Sequence, residues 1–236
     1  MSENAVTAVL VHGAWADGSS WNKVISSLSA HGVKSIAAPL PLTSLPDDVA
    51  ALERALARID GPVVLVGHAY AGAVIAGVRS EKVRSLVYVA ALAPAEGETV
   101  ADVFNRAAPH PMAPKLVPDD YGFIWLPDDA FAAAFAQLAT PEEHVVLAAI
   151  QRPIALQCIG LKVERPLWLD RPSWFLVAEA DRMIAPDTQR FMAARMKALI
   201  RQHPVDHAPS VTAPDLVTDI ILEAIGESGR SRRGDR

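Results

Sequence analysis

From the start of the chain to about Pro94, short apolar runs alternate with longer amphipathic stretches. Val6 to Val11, Ser35 to Ala38, Pro62 to Val66, Val83 to Val89 and, much later, Ser173 to Ala178 are rich in apolar residues. That is the pattern of strands covered on both faces. Between them, Trp21 to Ala30, Asp47 to Ile59 and Tyr70 to Arg79 space their apolar residues as helices do. Gly32 stands where the first helix would close, and Pro46-Asp47-Asp48 puts acidic residues in the first turn of the second. Strand, helix and strand in succession predict a parallel sheet with right-handed crossovers.

The rhythm breaks after Pro94. From Glu98 to Asp170 proline is frequent, no strand stands out, and helical stretches begin near Pro127-Asp128-Asp129 and at Thr140-Pro141-Glu142-Glu143. In the latter, Thr140 can cap, Pro141 suits the first helical position, and Glu143 completes a capping box. The expected organisation is a core of residues 1–97 and 171–226 interrupted by a helical insertion, 98–170. Such an insertion is most simply a lid over the carboxyl ends of the strands, the edge where ligands bind. The α/β pattern resumes with a strand at Ser173 to Ala178, a helix at Thr188 to Met196, a strand at Leu199 to Gln202 and a last helix at Asp215 to Ile225. Residues 227–236, rich in Arg, Gly and Ser, read as a disordered tail.

Composition adds limits. A chain of 236 residues, 51% of them apolar, can bury a large core without internal repeats. A net charge of −5 argues against nucleic acid or an anionic membrane as partner. Cys158 is the single cysteine, so no internal disulfide forms. Its apolar neighbours suit a buried structural thiol. No export signal or apolar stretch of about 20 residues is present, and the expectation is a cytoplasmic protein with a small-molecule substrate. The spacing of the histidines offers no metal site, and Gly13 and Gly18 do not make a dinucleotide fingerprint, so no cofactor is expected.

Three motifs carry chemistry. Val9-Leu10-Val11-His12-Gly13-Ala14-Trp15 is a strand ending in His-Gly. Val63-Val64-Leu65-Val66-Gly67-His68-Ala69-Tyr70-Ala71-Gly72 is a buried strand running into a tight turn and a helix. Asp181 follows the strand that ends near Ala178, and His207 lies just before the final helix. In motif and order these resemble the α/β-hydrolase superfamily, in particular its small, lidded, esterase-like members. The resemblance implies a mostly parallel sheet flanked by helices, with a helical lid inserted after the sixth strand. It implies a nucleophile at position 69, His207 as base and Asp181 as the carboxylate that orients it. The backbone N–H groups of Ala14 and Tyr70 would form the oxyanion hole. Each such donor is typically worth about 2.7–4 kcal/mol of transition-state stabilisation.

Two positions depart from the family pattern. Ala71 replaces the usual second glycine of the elbow, with Gly72 one place later. Ala69 stands where the serine nucleophile belongs, a loss that typically costs on the order of 10⁶-fold in kcat. Two origins fit Ala69: a Ser→Ala change made to trap substrate, and a natural chain whose His207 and Asp181 activate water or take a substrate proton. A binding protein on the same scaffold is the third reading, against which the retained Asp181 and His207 count. The leading expectation is a hydrolase of a small apolar carboxylic ester or related acyl compound, impaired in acyl transfer by Ala69. The alternatives are a cofactor-independent lyase or proton-transfer enzyme and a non-catalytic ligand-binding protein.

Asp187 belongs to a helix start, and Asp206, next to His207, should diverge from its ring; Arg182 could pair with Asp181 instead. His12 reads as a brace for the oxyanion loop and His68 as a brace for the elbow. Trp15, Trp21, Tyr121, Trp125 and Phe131 are candidates for an apolar substrate pocket, with Phe123 and Phe135 in the same class. His110, His144 and Gln151 are candidate polar contacts from the insertion.

Overall fold

The computed structural model describes residues 5–230. Its core is a six-stranded, wholly parallel sheet in the order β2-β1-β3-β4-β7-β8. The first half of the chain supplies β1 (Thr7–Val11), a 3-10 turn, α1 (Asn22–Ala30), β2 (Lys34–Ala38), α2 (Leu45–Ala57), β3 (Val63–His68), α3 (Ala71–Gly77) and β4 (Val83–Val89). β1 and β3 are fully buried because they lie inside the sheet. β2 and, later, β8 are half exposed because they form its edges. Ser44 caps α2, its side chain accepting a hydrogen bond from the Asp47 N–H, so that helix begins two residues before the expected Asp47. α3 ends at Gly77, short of Arg79, because Val78 is extended.

Between β4 and β7 (Ser173–Ala178) the chain forms α4 (Val100–Phe104), β5 (Phe123–Ile124), α5 (Asp128–Ala130), a π-helical turn at Phe131–Phe135, α6 (Pro141–Ile150), β6 (Ile154–Ala155) and α7 (Leu156–Gly160). The capping box at Thr140 and Glu143 forms as its spacing predicts. A second box, Thr99 with Asp102, starts α4. Two expectations are corrected here. The insertion follows the fourth strand of this chain, not the sixth, since only β1 to β4 precede it among the described residues. It is also not strand-free: β5 and β6 pair antiparallel through Phe123–Ala155 and Ile124–Ile154. Two-residue strands leave no alternation long enough to read in a sequence.

After β7 come α8 (Pro186–Arg195), β8 (Leu199–His203), α9 (Pro209–Thr212) and α10 (Pro214–Arg230). The expected disordered tail is therefore too long by four residues: Glu227 to Arg230 continue α10, and 231–236 lie outside the described residues. Apolar side chains fill both faces of the sheet. One cluster, around Leu10, Val64, Val66 and Val87, meets α1 and α10; the other, around Val9, Leu65 and Tyr88, meets α2, α3 and the insertion. No described helix is long and apolar enough to cross a membrane.

The β3–α3 turn depends on one close approach. A side chain at Gly72 would collide with the Leu92 carbonyl oxygen and come within 3.0 Å of the Ala91 Cβ. The bare backbone there lets the post-β4 segment press against the start of α3. Gly72→Ala is expected to destabilise the fold by about 1–3 kcal/mol, the usual cost of overpacking. Urea unfolding at constant m-value measures it, and a midpoint equal to the parent's would show that the Leu92 segment yields freely.

Candidate active site

The site lies at the carboxyl end of β3, where Ala69 takes a left-handed backbone conformation, φ 51°. A residue with a Cβ adopts that conformation at a cost of roughly 1–3 kcal/mol, borne by surrounding structure. Here three hydrogen bonds hold it. The Ala69 N–H donates to the Val89 carbonyl (3.2 Å), and its own carbonyl accepts from Gly72 (3.1 Å) and Leu92 (2.9 Å). Gly13 provides the remaining room: a Cβ there would sit 2.9 Å from that of Ala69. Ala71, the departure from the family elbow, is fully buried and fits without disturbing the turn.

Behind this turn stands a buried pair. His207 Nδ1 lies 2.8 Å from Asp181 Oδ2, and both side chains are almost completely enclosed. The Asp181 carboxylate also accepts from the N–H groups of Met183 (2.7 Å) and Ile184 (2.9 Å) and from Gln189 Nε2 (2.8 Å). All of these groups donate, and the Asp181 oxygen nearest the ring accepts the His207 Nδ1–H. The other ring nitrogen, Nε2, then carries the lone pair, and it makes no hydrogen bond among the described residues. His207 and Ala69 line the same cavity, together with Ala14 and Tyr70. Neither the Ala14 nor the Tyr70 backbone N–H donates to an acceptor within the described residues.

The two upstream histidines act as braces. His12 Nδ1–H donates to the Gly13 carbonyl (2.9 Å), and its Nε2 accepts from Leu40 N–H (3.1 Å). Burial holds it below its ordinary pKa, so the ring is neutral. His68 Nε2–H donates to the His207 carbonyl at 2.6 Å and fixes the backbone that carries the base. Burial, followed by the neighbouring His207, pushes the pKa of His68 down to about 3.

The remaining acidic candidates are structural. Asp206 accepts from Leu138 N–H (2.9 Å), Ala208 N–H (3.2 Å) and the Thr212 hydroxyl (2.6 Å), tying the insertion to the His207 loop. Asp187 pairs with Arg190, and Arg182 donates to the Ala133 carbonyl rather than to Asp181.

The cavity measures about 270 Å³, and apart from Tyr70, Asn105 and His207 its side chains are apolar. Trp15 lines it, its indole N–H held by the Ile124 carbonyl at 2.9 Å. The other four pocket candidates are corrected. Trp21 is wholly buried in the opposite cluster, with α1 and α10. Tyr121 is 88% exposed and Trp125 half exposed, because both sit on the outer surface of the insertion. Phe131 is buried against Phe135, and it is Phe135 whose ring meets His207, 5.2 Å away edge-on. Phe123, half buried, pairs in β5 and does not line the cavity. The polar candidates are spent on backbone: His110 accepts from Met112, His144 donates to Ala136, and Gln151 makes a reciprocal pair with Leu126. Aromatic and polar identity alone gave no information on which way these side chains face.

Three residues of the site escaped the sequence reading. Gln189 is fully buried on α8 and fixes Asp181. Asn105, directly after α4, lines the cavity. Asp48, expected merely to suit a helix start, is fully buried and accepts from the Tyr70 hydroxyl and the Leu42 N–H, each at 2.7 Å. Burial raises its pKa and pushes that of Cys158, 3.6 Å away, up to about 12. The thiol is thus a packed, protonated group. A polar residue at an apolar helix position was the one signal that could have marked Asp48 and Gln189. Among the described residues no three His, Cys, Asp or Glu side chains are grouped to hold a metal.

Residues 8–220 match the alpha/beta hydrolase family. The chain is 23% identical to the alpha/beta hydrolase nvfD of Aspergillus novofumigatus (strain IBT 16806) over 243 residues, covering 93% of this chain and 96% of that one. Its fold superposes on polyneuridine aldehyde esterase with a TM-score of 0.80 at 19% identity, covering 93% and 99% of the two chains. On a histidine-to-alanine variant of tomato methylketone synthase I complexed with beta-ketoheptanoate, the TM-score is 0.81 at 18% identity, covering 95% and 99%.

The neutral, enclosed His68 ring predicts an acid-side loss of stability. Folding keeps it unprotonated well below its ordinary value near 6.5, while the unfolded chain takes up the proton. Its contribution is complete above pH 6.5 and declines as pH falls toward about 3. Each such group adds a slope of at most about 1.4 kcal/mol per pH unit. Urea unfolding of the parent and of His68→Phe at several pH values between 7 and about 4 should show a shallower slope in the variant. Parallel slopes would mean that the ring gains its proton without unfolding.

Proposed function

The chain belongs to the alpha/beta hydrolase family, and we propose that its cleft is an esterase-type site for a small, largely apolar carboxylic ester or related acyl compound. The observation that carries this reading is the cavity itself. One largely apolar cavity is lined by Ala69, His207, Ala14 and Tyr70 together. A hydroxyl at position 69 would give up its proton to His207 Nε2 as it attacks the acyl carbon. Asp181 then stabilises the imidazolium that forms, and the two amides receive the negative charge that develops on the carbonyl oxygen. The similarity to nvfD and to polyneuridine aldehyde esterase supports the same assignment. With Ala69 in place, the first covalent bond has no donor atom on the protein, and acyl transfer is impaired.

Ala69→Ser should therefore create burst kinetics with an activated aryl ester and covalent labelling by a fluorophosphonate. The gain in turnover over the Ala69 chain should be several orders of magnitude. A folded Ala69→Ser protein that neither bursts nor labels would overturn the assignment.

A second reading follows from the intact base beside the missing nucleophile: proton-transfer or lyase chemistry by the chain as it stands. Methylketone synthase I, the tomato protein of similar fold, is complexed with a β-keto acid. Loss of CO₂ from such an acid leaves an enolate. His207 would take the proton of the carboxyl group before CO₂ leaves and return it to the enolate carbon, giving a ketone, while the two amides hold the enolate oxygen. On this reading the Ala69 chain decarboxylates β-keto acids and His207→Ala abolishes turnover. Equal rates in the two proteins remove the second reading.

A further inference from the structure

A second, smaller cavity of about 210 Å³ lies under the 105–116 stretch of the insertion. It shares Phe104, Asn105, Leu116 and Met183 with the cavity beneath Ala69, so the two are adjoining chambers that meet at these four residues. Small-molecule sites usually enclose roughly 300–1,000 Å³. The first chamber, at about 270 Å³, falls just short of that, and only the pair reaches it. No Asp, Glu, Lys or Arg lines either chamber. Transfer of a charged chain end into such walls would go uncompensated.

At the junction stands Asn105, the single side-chain amide among the residues lining either chamber. It follows α4 directly and is exposed to solvent, and none of the side-chain hydrogen bonds among the described residues involves it. An amide carries two donor hydrogens and an acceptor oxygen. A ligand passing over it must satisfy those groups or leave them desolvated and unpaired, which weakens binding. A purely hydrocarbon chain is therefore not the best occupant of the junction.

We infer that the site takes an uncharged acyl compound whose chain runs from Ala69 into the second chamber and carries an oxygen function that hydrogen-bonds to Asn105. The oxygen is a carbonyl, ether or hydroxyl group part-way along the chain. Asn105 is then a specificity-determining residue, and Ala107 and Ala113, lining the far chamber, set the room for the distal segment. This rests on the acyl-compound reading of the first chamber.

The test is calorimetric titration of the chain with Ala69 in place, using methyl butanoate, methyl decanoate and mid-chain oxo isomers of methyl decanoate. Each methylene buried adds about fourfold in affinity, so methyl decanoate should bind at least about tenfold tighter than methyl butanoate. The oxo isomer that matches Asn105 should bind tighter still. Ala107→Trp, which fills the second chamber, should weaken the decanoate far more than the butanoate. Ala113→Trp obstructs the chamber from another stretch of chain and serves if the first variant does not fold. Asn105→Leu should erase the preference for the oxo isomer while retaining the preference for length. Equal affinities for short and long esters, equal losses of butanoate and decanoate binding in a tryptophan variant, or an oxo preference absent from the parent or retained in Asn105→Leu would each overturn the inference. Acyl transfer by Ala69→Ser toward a short aryl ester is scored separately. Transfer with a flat binding series removes the second chamber alone, and a graded series without transfer removes the reaction alone.

Discussion

A carboxylate buried without partners costs several kcal/mol, and the enclosure of Asp181 is the constraint on which this site depends. Its two oxygens are satisfied by two backbone amides of the turn after β7, by Gln189 from α8 and by His207. These four donors come from three parts of the chain's second half. The turn, the packing of α8 against the sheet and the loop before α9 are therefore mutually specified. The imidazole is held from behind by this cluster, from its own backbone by His68 and at its edge by Phe135. Nε2 is the one ring nitrogen left without a hydrogen bond among the described residues.

The division of labour between core and insertion follows from where backbone rigidity is available. Ala14, Ala69, Tyr70 and His207 all come from segments at the ends of core strands or from the loop before α9, where ladder hydrogen bonds leave little freedom. Most of the remaining wall, including Val100, Phe104, Leu116, Ile124, Ile154 and Ile159, comes from the insertion. The insertion is not loosely draped over the core. Leu138 is tied to Asp206, Arg182 to Ala133, Gln137 to Ala180 and Trp15 to Ile124 and Arg152. The core thus supplies Ala69 and His207, and an insertion tied to it supplies most of the wall that shapes the cavity.

The same division explains what could be read from the residues alone. The neighbourhood of Asp181 and His207 followed from the family resemblance, whereas the strands and the capping box at Thr140 rest on local rules: apolar runs and side-chain caps. These rules leave periodic marks in the sequence. The pocket walls do not. Tyr121 and Phe131 are both aromatic residues of the insertion, yet one is outside the molecule and the other within its core. Their directions depend on the β5–β6 ribbon and a π-helical turn too short to show a period. Asp48 illustrates the opposite failure. As an acidic residue in a first turn it had a sufficient local explanation, and that explanation hid its bond to Tyr70 across the fold.

Ala69 also takes on a definite meaning once the turn is seen. Nothing that holds the left-handed conformation there uses a side chain at that position. The restraints are backbone hydrogen bonds to Val89, Gly72 and Leu92, together with the bare Cα of Gly13 and the tight fit at Gly72. The strain of the elbow is thus maintained by neighbours and persists whether or not a hydroxyl is present. On the proposed reading, the His207 imidazole of a chain with Ala69 has a bound molecule or water to act upon, and the Ala14 and Tyr70 amides favour whichever oxygen gains charge. Such a site would serve proton transfer at an acyl group while lacking the atom for covalent attack.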